Sequence, residues 1–566
     1  MQMHSLRKAC GFTAFVFGVM AAGIAVAQTA DLILRNGKVV TVDGSFRITQ
    51  AVAVRGSTIA AVGNDASVMA LSGPATQVID LAGRTVVPGL IDNHLHLHFA
   101  AISTTAVQLI GARSIADVQS LIAERVKATP PGGWVAASMG WHESLLAEGR
   151  MPTRWELDKV SPDNPVFIPR GGHVVTVNSK ALELSGIKKE TPNPTGGIIV
   201  RDPATGEATG VLLQNAANFA RRVAPPPPPA PEQARLLRAA MKILNSYGVV
   251  AAIEPAADER SIAVYKLVRE SGDMTVRTDI LFRALTKADA ERGIKLLSEQ
   301  KSDDMLRFVG LKFLVDGGVE GARHYQPYQL VPGEQTSSDY RGVLLLPPGG
   351  EDEYVEMLKL VARANMQAQT HGVGDEAIDV IVRSYERVNA EFPLRGRRWA
   401  VMHVFLPTET AIKKMAQLDI LATVQDHPVL LGHNQRRWWG DERANKAIPI
   451  RTLIDRGIHV GGGSDGPVVP YDPFLSMWWM TTRQTLNGYA LGPNQAITAK
   501  EALMLYTINN AKIMDVERER GSIETGKMAD LAVLSQDILS VDPGKIRDTK
   551  ALMTVVGGKI VHRDGI

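Results

Sequence analysis

Cysteine is almost missing: 566 residues contain one, Cys10, close to the N-terminus. An intrachain disulfide is excluded, and so is a thiol nucleophile or thiolate ligand anywhere beyond that position. A charge excess is missing too, with 62 Lys and Arg against 59 Asp and Glu and a net charge of +3. That balance offers no electrostatic handle for nucleic acid or an acidic membrane surface, so neither is expected as a partner. Long apolar runs are lacking after the first residues. The run from Ala9 to Val26 follows Arg7 and Lys8 and ends in the small-x-small site Ala25-Val26-Ala27. This is the pattern of a secretory signal peptide removed after Ala27, and the run is short for a membrane span. An exported protein is expected, periplasmic or secreted, with no membrane attachment once the leader is gone.

The rest is ordinary in bulk, 45% hydrophobic and 21% charged. It is long enough for a large core with an attached second domain. Residues 31–85 alternate short apolar runs with turns, as in Leu32-Ile33-Leu34, Ala51-Val52-Ala53-Val54 and Ile59-Ala60-Ala61-Val62, and read as antiparallel strands. The style returns in Leu531-Ala532-Val533-Leu534 and Ala551–Val556, and Gly558-Lys559-Ile560-Val561 resembles Gly37-Lys38-Val39-Val40. Two strand-rich ends predict one small β-sandwich built from residues 28–85 and 516–566.

The middle, residues 86–515, alternates strands with helices. Strand candidates fall near 85–92, 249–254, 277–285, 307–316, 366–371, 399–404, 419–425 and 458–465. Helical stripes cover 232–247, 351–364 and 375–389, and Thr498-Ala499-Lys500-Glu501 is a capping box. The fold class is therefore α/β, a (β/α)8 TIM barrel. The gap between the first two strands, about 155 residues, is too long for one crossover. Residues 105–225 are thus expected to hold an inserted α+β subdomain, followed by the stiff spacer Pro225 to Pro229.

Active sites of such barrels lie at the carboxyl ends of the strands. His94 and His96 end the first strand, and positions i and i+2 of an extended segment face one way. Two neutral imidazoles beside a carboxylate are half of a divalent-metal site. Lys312 interrupts the apolar fourth strand, His371 ends the fifth, His403 the sixth and Asp465 the eighth, after Gly461-Gly462-Gly463. Each has a plainer reading alone: His371 or His403 as a core histidine, Lys312 paired with Asp316, Asp465 capping a turn. Their shared place at strand ends favours one metal-binding mouth.

Pro88-Gly89-Leu90-Ile91-Asp92-Asn93-His94-Leu95-His96, His371-Gly372-Val373-Gly374-Asp375 and Gly463-Ser464-Asp465-Gly466-Pro467 resemble the metal-dependent amidohydrolase superfamily. Within it, the N-substituted formamide deformylase-like branch (amidohydrolase family 3) is the most similar. The resemblance extends from residue 31 to the C-terminus and includes Met151–Asp158, Gly172–Ser179 and Gly521–Leu531. It implies two divalent ions, with zinc the expected metal: one on His94, His96 and Asp465, the other on His371 and His403. Lys312, as a carbamate, would bridge them. The implied activity is hydrolysis of a non-peptide carbon–nitrogen bond in a small molecule, a linear N-acyl or N-formyl amide. Asp465 would shuttle the proton, and His173 would hydrogen-bond the substrate carbonyl or oxyanion. Trp141, His173 and Arg323 are the candidate substrate-binding residues. His98 is as readily a bystander, and Trp438-Trp439 either lines a pocket or packs.

Two positions depart from the family pattern. Met402 stands where relatives often carry a glutamate, removing a hydrogen bond behind His403, and Gly372-Val373 replaces Ala-Ile. Alternative functions are a deaminase or cyclic-amide hydrolase on the same barrel, or a non-catalytic exported binding protein. Deaminases of the superfamily generally use one metal and lack the lysine, so Lys312 speaks against that rival. A homo-oligomer is compatible with the sequence.

Overall fold

Eight parallel strands surround one axis: β1 (Leu90–Asp92), β2 (Val249–Ala257), β3 (Arg277–Arg283), β4 (Leu306–Leu314), β5 (Gln367–Gly372), β6 (Ala400–His403), β7 (Leu421–Gln425) and β8 (Val460–Gly463). This is a computed structural model, and the described residues are 29–331 and 339–566. The leader expected over residues 1–27 lies outside them. Strand neighbours follow chain order from β1 to β8. The ring closes where Leu95 bridges Gly466 in parallel and the Asn93 N–H donates to Gly462 O at 3.3 Å. Helices cover the outside, which is why Val249 to Ile253 and Leu421 to Gln425 are buried throughout and show no polar alternation.

Helix α1 (Ala230–Ser246) starts directly after the proline run and stops before Gly248, whose φ is +81°. Helices α2 (Asp375–Asn389) and α3 (Ala499–Leu505) match the expected stripe and capping box. Among the described residues no helix is long and apolar enough to cross a membrane.

One expected strand is really two. Thr85–Pro88 pairs with Leu531–Leu534 and with Lys38–Val40 in a six-stranded sheet, and only Leu90–Asp92 joins the barrel. Gly89 is the transfer point. Its N–H donates to Asp530 O, whereas the next N–H, of Leu90, donates to Gly248 O. A Cβ at Gly89 would sit 2.5 Å from the Val250 side chain. Both strands are buried, so the apolar run passes through the break without a change of pattern.

The six-stranded sheet faces a four-stranded one (Thr58–Gly63, Ala51–Arg55, Leu32–Arg35, Gln77–Asp80). Leu34, Val52, Val86, Leu531 and Val533 share the apolar layer between them. This sandwich meets the amino-terminal end of the barrel through Arg277, 2% exposed, whose Nε donates to Asp530 Oδ2 at 2.8 Å. Between β1 and β2 a separate five-stranded sheet runs Gly197–Arg201, Ala208–Gln214, Val174–Val177, Val166–Arg170, Val135–Ala136. Its loops reach over the carboxyl ends of the barrel strands.

Candidate active site

His94, His96, Lys312, His371, His403 and Asp465 line one cavity of about 500 Å³ at the carboxyl end of the barrel. Trp141 and His173, from the insertion, line it too. Donor atoms of His94, His403 and Asp465 lie within 4.8 Å of one another. Asp465 Oδ1 is 3.0 Å from His96 Nε2 and 3.4 Å from His94 Nε2. The ring of His403 lies 4.8 Å from that of His94 and 4.5 Å from that of His371. His403 thus stands between the two expected ligand groups, beside His371 and within reach of the His94 and Asp465 donors.

The seam between β1 and β8 sets these positions. Asn510 donates to Ile91 O at 2.6 Å and to Gly462 O at 2.7 Å, and its Oδ1 accepts from Asn93 Nδ2 at 2.7 Å. Asp92 accepts from the N–H of His94 and from the N–H and hydroxyl of Ser464. The glycine run is required here: a Cβ at Gly461 would lie 2.2 Å from Asn510 Oδ1, and one at Gly463 2.8 Å from the His94 nitrogen. At and just past the strand ends the backbone is strained, with φ of +71° at His403 and +58° at Asp465. Such strain in non-glycine residues gathers at functional sites.

The donors are prepared for a cation. Both ring nitrogens of His94 and Oδ1 of Asp465 are buried without a hydrogen-bond partner, an arrangement costly unless something positive occupies the space between them. Gln425 Oε1 lies 2.6 Å from His403 Nδ1 and Gly317 O lies 3.1 Å from His371 Nε2. Each acceptor fixes a tautomer whose other nitrogen carries a free lone pair. Gln425 therefore replaces the hydrogen bond that Met402 was expected to remove; Met402 itself is buried in an apolar cluster. Burial and the Lys312 charge push the His94 imidazole down to about 3, and burial holds His371 and His403 well below the usual range. Neutral imidazoles at His94, His371 and His403 and an ionised Asp465, held low by His94 and His427 despite its burial, are the protonation states that ligate a divalent ion, whereas His96 must give up a proton to join them. The donor set fits one.

Lys312 is 3% exposed. Its plainer pairing with Asp316 is not made. Asp316 instead accepts from the N–H groups of Arg323, Val373 and Gly374 at 3.0, 3.1 and 2.8 Å.

Two candidates, Arg323 and His173, behave differently from expectation, and Trp141 lines the cavity as expected. Arg323 lies outside the cavity: the loop pinned by Asp316 turns its guanidinium towards Glu376, 2.8 Å away. His173 Nδ1 faces Gln214 Oε1 at 2.9 Å, and burial keeps the ring neutral. In that tautomer Nε2 is an acceptor, suited to a substrate N–H rather than to a carbonyl or oxyanion. Trp141 is a wall, its indole N–H donating to Pro169 O at 2.8 Å. His98 bonds Gln233 outside the cavity. Trp439 packs against His324 and Phe405, and Trp438 lies across from Arg170.

Two site residues escaped the sequence reading. His427, just past β7, donates from Nε2 to Asp465 Oδ2 at 2.8 Å. Glu254, on β2, lies 3.7 Å from His96 Nδ1 and accepts from Tyr265 OH and the His98 N–H. Burial alone would depress His96; Asp465 and Glu254 raise it to about 9. His427 stands just past the end of β7 and Glu254 in the carboxyl half of β2, the setting that marked the other six, but neither falls in a recognisable motif.

A barrel whose strand ends converge histidines, a lysine and an aspartate on one cavity defines a metal-dependent hydrolase. The Amidohydrolase family model matches residues 77–562, and the chain belongs to that family. It is 31% identical over 549 residues to an N-substituted formamide deformylase of Arthrobacter pascens, covering 94% of this chain and 98% of that one. It is 29% identical over 551 residues to the Arabidopsis thaliana protein LONG AFTER FAR-RED 3, covering 94% and 92% of the two chains. In fold it is similar to the crystal structure of an uncharacterized metal-dependent hydrolase from Pyrococcus furiosus, with a TM-score of 0.69, 24% identity, and coverage of 90% and 100%.

Proposed function

We propose that this amidohydrolase cleaves a linear amide, an N-acyl or N-formyl amine, outside the cytoplasm. The observation that carries the reading is the convergence of His94, His96, Lys312, His371, His403 and Asp465 on one cavity. The activity named for the deformylase relative supports this substrate class. His94, His96 and Asp465 would hold one divalent ion and His371 and His403 a second, with zinc the expected metal. When bound, such ions polarise the scissile carbonyl and acidify the attacking water.

The side chains supply the rest. Burial, only partly offset by Asp465, brings the Lys312 ammonium down to about 8. A useful fraction is then free amine, which can bond to the carbon of CO2 and release a proton. The resulting carbamate turns a cation into an anion with two oxygens. His427 holds Oδ2 of Asp465 and leaves Oδ1 directed to the histidine pair. From there Asp465 takes the proton of the attacking water and returns it to the leaving nitrogen. His173 Nε2 accepts the substrate N–H and orients the amide, while Trp141 closes the wall.

The test is turnover by metal-loaded protein on a panel of N-formyl and N-acyl amines, with Asp465→Asn beside it. Hydrolysis by the wild type, reduced at least about 100-fold in the variant, is expected. A metal-replete protein inert on every amide would overturn the reading.

A further inference from the structure

Arg221 and Arg283 stand on the rim of the catalytic cavity, and both line it. They come from different parts of the fold: Arg283 ends β3, and Arg221 belongs to a short helix of the insertion, Ala217–Arg221. Arg221 Nη2 donates to Gly172 O at 2.6 Å and Nη1 to Asn218 Oδ1 at 3.2 Å. Those neutral acceptors fix the guanidinium without cancelling its charge. The Arg283 side chain has no hydrogen bond or ion pair among the described residues. The two arginines also repel one another, which lowers Arg221 beyond the effect of burial.

No carboxylate among the described residues forms an ion pair with either of them. Asp258, which feels Arg283, accepts from the Ser261 N–H at the start of a helix. Glu320 and Glu143 are both engaged by Arg170, the third arginine of the lining. Asp465 is held among the histidines. Two like charges facing one cavity with no carboxylate in contact attract anions there, and arginine forks match the geometry of a carboxylate. Between rim and metal ligands the wall is apolar: Phe99, 45% exposed, together with Phe405, Leu431 and Val468.

From this we infer that the substrate is an anionic amide, with an apolar body against Phe99 and a carboxylate held by Arg221 and Arg283. The inference rests on the amide reading above and adds the charge of the substrate to it. N-formylphenylalanine and N-formylphenethylamine form a matched pair that differs only by the carboxylate on the amine half. N-phenethylsuccinamic acid carries it on the acyl half instead.

Both properties are measured on metal-loaded protein: kcat/KM for each compound, and its affinity by calorimetry. One of the two acids should exceed the neutral amide at least about fivefold in both, and the favoured acid tells which half enters last. The preference should fall to about unity in Arg221→Met/Arg283→Met and largely survive in Arg283→Lys. Direct ligation of the metals by a carboxylate would leave the preference untouched in the double variant, and this would overturn the inference. So would equal handling of acid and neutral amide, with the amidase reading left standing. Arginine-dependent binding of an acid with no hydrolysis of any compound would uphold the anion site and overturn the amidase reading.

Discussion

Replacing Asn510 by leucine, which is close in size, tests whether the β1–β8 seam builds the site. Asn510 is fully buried and makes three hydrogen bonds, to Ile91 O, Gly462 O and the Asn93 amide. Leucine would leave two carbonyls and one amide donor buried without partners. Each such group costs about 1–3 kcal/mol. Local relaxation and the bond already made to Gly462 O by the Asn93 N–H soften the sum, so a loss of about 3–5 kcal/mol is expected. For a cooperative unit of this size that corresponds to a fall in Tm of about 3–4 °C. The functional effect should be larger, because Asn93 precedes His94 and Gly462 lies three residues before Asp465 in the same strained segment. Calorimetry of the metal-loaded variant, with kcat on an accepted amide, gives both numbers. A Tm within about 1 °C of wild type with unchanged kcat would refute the claim that this asparagine clasp positions the ligands.

Further predictions concern the frame. Asp530→Ala leaves Arg277 buried with only the half-exposed Asp304 as a charged partner; a loss of about 2–4 kcal/mol is expected in urea unfolding, partly restored when Arg277→Met is added. His459, beneath the barrel with Nε2 against Asn509 O, is pushed down by burial from 6.5 to about 4. The fold favours its neutral form, so its stabilising contribution is complete above pH 6.5 and is lost as pH falls towards 4. His459→Gln should remove about one proton from the acid dependence of stability in that window; an unchanged pH profile would show that His459 is not responsible.

Much of the barrel is legible because apolar runs recur at the spacing of strand and helix, and seven of the strand candidates lie within about three residues of observed strands. The break at Gly89 is not, since strands of two different sheets are equally buried and only a collision with Val250 marks the change. Six site residues are legible because strand ends point at one mouth. Glu254 and His427 follow the same rule, yet apolar periodicity does not say which polar residue at a strand end turns inwards. Arg323 shows the converse: position after β4 was right, but Asp316 holds the loop so that its side chain leaves the cavity. Arg221 and Arg283, 62 residues apart in sequence, meet only through the docking of the insertion, and no local pattern encodes that.

The metal content of the purified protein, wild type beside Lys312→Ala, tests the central claim most directly. Elemental mass spectrometry should find about two divalent ions per wild-type chain, falling to one or none in the variant. A wild-type chain that retains no divalent ion after reconstitution, or one ion indifferent to Lys312, would contradict the two-metal, lysine-bridged centre.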